Sequence, residues 1–378
     1  MKLFEKAEQY EAQIRARHMH EGLLLPWLVL PPKGKPDYTT GNYENCAAWS
    51  GAYLASLAYR YGATQNEGVC ALMKETLAAH RKLRTITGRP GFLARGFKRA
   101  SAATWDEDYF WHQRTSRSEW HQAGEYRYLG DTSVDQYDCT IFGYAVVHEI
   151  AADDEDRALI REEVAALVDH IVDHDMRIVD DDGEMTLWGC MNPALLDDPK
   201  HGVDKGLNSL IALALLKTAH AITGEARFDA KYRELIEVHR YHENALKAVN
   251  HDCEEPNHSD DNLAYDAYFM LFTYETDEEL LDSYRHSYYA MWNFVKPEQN
   301  SFFNFCHHIV TRTDGDDAGA IESLHGFPVN RVVDELKGNY DYMPEYEHRT
   351  GPRHASQVVP MAERPEHEYQ WAMDPYRL

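Results

Sequence analysis

The residues best suited to chemistry are acids at the mouths of apolar helical stretches. Gly130–His148 reads GDTSVDQYDCTIFGYAVVH. It is a turn at Gly130-Asp131-Thr132-Ser133, then a helix apolar almost all round through Ile141, Phe142, Tyr144, Ala145, Val146 and Val147. Such a helix is buried by other helices. Asp135 and Asp138, three residues apart, share one of its faces. Asp131 and Ser133 are placed to cap its first turn. Capping and dipole complementation are the plain reading of these acids, but one or two would be enough. Hydrolysis of a glycosidic bond needs an acid for the leaving oxygen and a second carboxylate as nucleophile or base. Asp135 with Asp260 or Asp261 is the expected pair, burial of its helix raising the Asp135 pKa, and Asp131 is a further catalytic candidate. Glu44, Asn45, Arg95, Tyr137, Asp138, Trp188, Asn192, Asn257, His258 and His307 are the candidates for holding substrate.

The same groups allow a second chemistry. Elimination or epimerisation at a uronic acid needs a partner for the carboxylate and a base for the α-proton. Asn192, Asn257 and Arg95 are candidates for the first role, and His258, His307 or Tyr137 for the second. A third reading is a non-catalytic sugar or small-molecule binder. Trp49, Trp105, Trp111, Trp120 and Trp188 are available to stack on sugar rings, Trp188 best placed beside a hairpin and Asn192-Pro193.

Neither a metal nor a cofactor is expected. There is no HExxH and no CxxC, and no GxSxG, GxGxxG or Walker loop. Cys306-His307-His308 and His251-Asp252-Cys253 are compact, but neighbours along a strand point to opposite faces. Thr313-Asp314-Gly315-Asp316-Asp317 is like a calcium loop but has His325 where the twelfth-position glutamate belongs.

The elements that must position these residues follow from composition and order. The chain has 378 residues, 44% hydrophobic, enough for a substantial core. Its formal charge is −25, from 63 acids against 38 bases, which argues against nucleic acid or an anionic membrane as partner. A small molecule or oligosaccharide is the expected partner, and a homo-oligomer is left open. Six scattered cysteines read as free thiols of a reducing compartment. The amphipathic N-terminus is no signal peptide, and Leu23–Leu30 is too short to span a bilayer, so a cytoplasmic protein is expected.

Residues 3–20 read as a first helix. Four times an acidic or polar opening then leads into an apolar helix, a short turn and an amphipathic helix. The apolar members start at Glu44-Asn45-Cys46, Ser133, Asp204 and His258. Their amphipathic partners cover 69–87, 157–174, 227–243 and 278–295. Residues 88–130 are an irregular aromatic loop, and 176–192 a β-hairpin turning at Asp182-Gly183. Residues 296–334 hold a degenerate last pair, and 338–378 an extended C-terminal wrap. Repeats of this kind decide a fold. Helical hairpins with one buried and one amphipathic member close into two concentric rings, with the polar openings gathered in one crater. The expectation is one all-α domain over 1–378, an (α/α)6 toroid with a short β-hairpin and long loops at its rim.

ENCAAW with SGAYLASLAYRY, TGRPGFLARGF, GDTSVDQYD, LWGCMNP, KGLNSL, NHSDDNLAY and RPEHEYQWAMDPYRL together resemble bacterial (α/α)6-toroid proteins of the six-hairpin-glycosidase type. The subgroup this chain resembles has no settled activity. The wider class holds glycoside hydrolases, polysaccharide lyases and sugar epimerases, so the resemblance implies a carbohydrate-active enzyme, most simply a glycoside hydrolase on short oligosaccharides. Where subgroup members carry an Asp-Asn-Asp-Gly-type stretch, this chain has Glu44-Asn45-Cys46-Ala47, which counts against a catalytic role for that turn.

Overall fold

A computed structural model describes residues 1–25, 28–29, 40–41, 43–101, 119–198, 200, 205–249, 258–326 and 329. Asn257, Trp105, Trp111, the His251-Asp252-Cys253 group and the expected wrap over 338–378 lie outside the described residues. The protein is predominantly helical, with thirteen α-helices and a few short strands among the described residues. The first is α1 (Leu3–Gln13). It is followed not by more α-helix, as expected to residue 20, but by a π-helical turn at Ile14–His18 and the strand pair β1 (Met19–His20) and β2 (Leu23–Leu24).

Five helical hairpins then succeed one another. They are α2 (Cys46–Thr64) with α3 (Glu67–Thr85), and α4 (Val134–Ile150) with α5 (Asp154–Asp173). The short α6 (Pro193–Leu196) precedes α7 (Lys205–Thr223), which pairs with α8 (Ala226–Glu237). After α9 (Tyr241–Asn244) come α10 (His258–Tyr274) with α11 (Glu278–Val295), and α12 (Ser301–Thr311) with α13 (Asp317–Gly326). The expected helix over 227–243 is broken because Arg240 is left-handed, at φ 56°. Cys306-His307-His308 lies on α12, not on a strand.

Composition decides which member of each pair is inside. In α7 thirteen of nineteen residues are buried, whereas α8 buries only Phe228, Tyr232 and Leu235. The buried members pack on one another, α2 on α4, α7 on α10, and α4 on both α7 and α10. The α2–α4 crossing is the tightest. A Cβ on Gly51 would collide with the Cys139 carbonyl oxygen, and one on Gly143 would lie 2.7 Å from the Gly51 carbonyl oxygen.

The two ends of the inner helices are finished differently. Asn66, Asp153 and Asp277 cap the partners α3, α5 and α11 with their side chains. Neither Asn45 nor Ser133 caps its own helix, α2 or α4, and the first turn of α2 is held instead by the Arg95 carbonyl and the Gln136 side chain. The opposite ends are pinned by a buried network. Lys217 of α7 donates to Glu275 Oε1 at 2.8 Å, and Tyr232 of α8 donates to Glu275 Oε2 at 2.5 Å and touches the Tyr284 hydroxyl of α11 at 2.8 Å. Burial works against the Glu275 carboxylate, but Lys217, Tyr232 and two backbone N–H groups hold its pKa below the ordinary value.

Residues 88–130 hold a sheet that periodicity does not reveal. β5 (Gly96–Arg99) pairs antiparallel with β7 (Tyr126–Leu129), which pairs with β6 (Trp120–Ala123). β3 (Leu28–Val29) pairs with β4 (Thr40–Gly41). The hairpin of β8 (Arg177–Val179) and β9 (Met185–Cys190) turns through Gly183 at φ 81°. His170 of α5 anchors it, its Nε2 accepting from the Val179 N–H at 3.1 Å. At the chain's other end, Lys6 of α1 donates to the carbonyls of Leu324 and His325 at 2.6 and 3.1 Å, finishing α13.

The helix crossing gives a direct test. Gly51→Ala forces a methyl into backbone and is expected to cost about 1–3 kcal/mol of unfolding free energy, the usual range for overpacking, measured by urea denaturation. An alanine of unchanged stability would show that the two helices do not cross there.

Candidate active-site cavity

The openings of four inner helices meet in one cavity of about 780 Å³. Glu44, Asn45, Ala48 and Trp49 come from the start of α2, Ser133, Val134, Asp135 and Cys139 from α4, Asn208 from α7, and Ser259, Asp260 and Asn262 from α10. Arg95, Lys200 and the β9 residues Leu187 and Trp188 complete the wall. The volume lies within the range of roughly 300–1,000 Å³ typical of small-molecule sites. Trp188 is 53% exposed, a large apolar ring left in solvent at the rim.

The cavity wall is fastened by a polar network. Gln136 takes the Ala48 N–H at 3.1 Å on its oxygen, and its nitrogen donates to Asn45 Oδ1 at 2.9 Å and Asp135 Oδ2 at 3.2 Å. Arg95 donates from Nε to the Asp131 carbonyl at 2.7 Å, and from its terminal nitrogen to the Glu44 carbonyl at 3.0 Å and Asn45 Oδ1 at 3.3 Å. Its described bonds therefore go to carbonyl oxygens, and it holds the starts of α2 and α4 together. Ser133 does not cap α4. Its hydroxyl donates to Asp135 Oδ1 instead. Asp131 does not cap it either. It sits before the helix at φ 47°, with Oδ1 accepting from the Leu187 N–H at 2.8 Å, so it ties α4 to β9.

The remaining expected residues go elsewhere. Asp261 and His258 are fully buried behind the cavity wall, Asp261 Oδ2 2.7 Å from His258 Nδ1, and Glu298 Oε2 lies 2.9 Å from Nε2. Tyr137 donates to the Gly91 carbonyl at 2.9 Å and accepts from the Leu93 N–H at 3.1 Å, a core bond. Asn192 caps α6 and donates to Asp175, away from the cavity. His307 stacks on Trp292 at 4.1 Å and touches the Tyr288 hydroxyl, and burial lowers its pKa to about 4. The five described cysteines are free thiols.

Asp138 lies one turn below Asp135, fully buried, with neither carboxylate oxygen hydrogen-bonded. It faces Asp266 of α10, a residue the sequence reading did not single out. The signal was present, a single acid inside the apolar run NLAYDAYFMLF. Burial raises the Asp266 carboxyl to about 8 and pushes Asp138 well above its ordinary value, with the charges of Asp266 and Asp135 adding to the shift. Cys139 bonds Asp266 and is itself pushed up by burial and by these acids. The acids whose carboxyls rise are thus a pair beneath Asp135. That pair keeps a proton in the fold, because two bare carboxylates in a dry interior are too costly.

Neither protein-family models, curated proteins nor solved structures match this chain.

The buried pair makes stability depend on pH with a definite sign. A carboxyl raised from ~4 unfolded to about 8 folded stabilises fully below the unfolded value. That contribution fades as pH rises through the interval. Asp266→Asn combined with Asp138→Asn, neutral at every pH, is expected to flatten the decline in melting temperature between pH 5 and pH 8. A wild-type decline that persists in this variant would remove the pair as its source.

Proposed function

We propose that the cavity is the active site of a glycoside hydrolase acting on short oligosaccharides, with Asp135 and Asp260 as the carboxylate pair. The observation that carries this is that these two acids, from the starts of α4 and α10, line one cavity whose rim bears the exposed Trp188. One carboxylate would protonate the leaving oxygen while the other attacks or activates water. Trp188 offers a face for a sugar ring, and Asn45, Asn208 and Asn262 offer amide groups for hydroxyls. On this reading the five hairpins belong to an (α/α)6 toroid, the Lys6 bonds to the end of α13 supporting closure of the ring.

Hydrolysis is preferred to uronate elimination on position. The bases that elimination would use, Tyr137, His258 and His307, are absent from the cavity lining. Asp138, Asp131 and Asp261 are likewise absent from the lining, Asp261 being paired with His258 and Asp131 with the Leu187 N–H.

The test is a screen of neutral and uronic oligosaccharides with products read by mass spectrometry in ¹⁸O-labelled water. Hydrolysis incorporates one labelled oxygen per cleavage. Asp135→Asn is expected to lower turnover by at least about 100-fold while leaving the melting temperature near that of wild type. Full activity in that variant would overturn the assignment, as would an unsaturated product without label. Stabilisation by a saccharide that is never cleaved would make the protein a binder.

A further inference from the structure

A second set of ligating side chains lies where the β6–β7 and β8–β9 hairpins meet, outside the cavity. His121 stands on β6, and Asp180 and Asp181 follow β8. One ring nitrogen and one oxygen from each carboxylate lie within 4.8 Å of one another. His121 Nδ1 is 3.6 Å from Asp181 Oδ2, too far for a hydrogen bond. Each carboxylate is already oriented from behind. Asp181 Oδ2 accepts from the Tyr128 hydroxyl at 2.6 Å and its other oxygen pairs with Arg89, while Asp180 accepts from the N–H groups of Asp181 and Asp131. The His121 ring stacks on Tyr128 with centroids 5.0 Å apart.

Gly130 makes room for this arrangement. A Cβ there would lie 2.9 Å from both Asp180 Oδ2 and His121 Nε2, so these two donors converge over bare backbone. Charge points the same way. The carboxylates of Asp180 and Asp181 share one guanidinium, that of Arg89, which pairs with Asp181, so the cluster stays negative. Solvent reaches it, with His121 and Asp181 side chains 31% and 29% exposed.

We propose that His121, Asp180 and Asp181 bind one divalent first-row transition-metal ion of the Zn²⁺ or Mn²⁺ class. The ion fastens the β8–β9 hairpin, which carries Trp188, to the sheet beside it. One imidazole with two carboxylates suits such an ion, whereas Ca²⁺ takes six to eight oxygens. Tetrahedral bonds of ~2.1 Å hold neighbouring donors roughly 3.4 Å apart, so small side-chain rotations close the present arrangement around an ion. The Tyr128, Arg89 and backbone contacts then serve as the outer hydrogen bonds that metal ligands need. A search for HExxH and CxxC does not find such a set, because its histidine is distant in sequence from its two adjacent acids. This proposal does not depend on what the cavity binds.

The test uses the full chain stripped with chelator, then titrated calorimetrically with Zn²⁺, Mn²⁺ and Ca²⁺, with melting temperatures measured alongside. One transition-metal ion per chain is expected, bound at micromolar concentration with a raised melting temperature. His121→Ala and Asp180→Asn are each expected to weaken binding at least about tenfold, and His308→Ala, a change at another surface histidine, to leave it unchanged. Asp180→Asn keeps an oxygen for one of the two N–H groups that Asp180 accepts from, and the melting temperature of the metal-free variant checks that the fold is retained. No stoichiometric binding, a response to Ca²⁺ alone, or wild-type affinity in both cluster variants would overturn the site.

Discussion

The close crossing of α2 and α4 is the constraint on which the rest depends. It exists because Gly51 and Gly143 let one backbone rest on the other. Two helices at that distance bring their first turns side by side, and Gln136, Asn45 and Arg95 lock them there. The same contact sets Asp135, Glu44 and Trp49 on one wall. Bulk at either glycine would separate the helices and pull that wall apart. The cavity is in this sense a consequence of two missing methyl groups.

Much of the scaffold was legible because the inner helices are apolar nearly all round. Long buried runs bounded by Gly, Asn and Asp place α2, α4, α7 and α10 within a residue or two of their observed starts. The five-hairpin order followed from the same alternation. What escaped was non-local. β5 pairs with β7 across a long stretch of sequence, and no periodicity in four-residue strands announces it. Arg240 ended α8 by a left-handed backbone that no neighbouring glycine or proline signalled.

The site was legible in place more than in detail. Acids at helix openings pointed to the crater, and Glu44, Asp135 and Asp260 line it with Asn45, Arg95 and Trp188. Within each opening, sequence alone could not assign which acid turns outward. Asp260 and Asp261 are adjacent, yet one lines the cavity and the other is fully buried against His258. A helix rotates ~100° per residue, so neighbouring acids necessarily meet different surroundings. Asp131 and Asn192 were spent on backbone groups, the commonest use of short polar side chains at turns.

The protein meets the problem of crowded carboxylates in two ways, and burial decides which. Asp138 and Asp266 lie buried where no cation reaches among the described residues, so the neutral form is favoured and their carboxyls rise. Asp180 and Asp181 lie where water reaches, and there Arg89 provides one positive charge directly. A second positive charge at that place, from a bound ion, follows the same rule. An overall charge of −25 strengthens both effects, since a negative field holds protons and cations alike. Asp135 stands between these two regimes, one turn above the protonated pair and at the edge of the solvent-filled cavity. A carboxylate there has a hydroxyl, an amide and a helix start to hold it from one side, and open space on the other for whatever it acts upon.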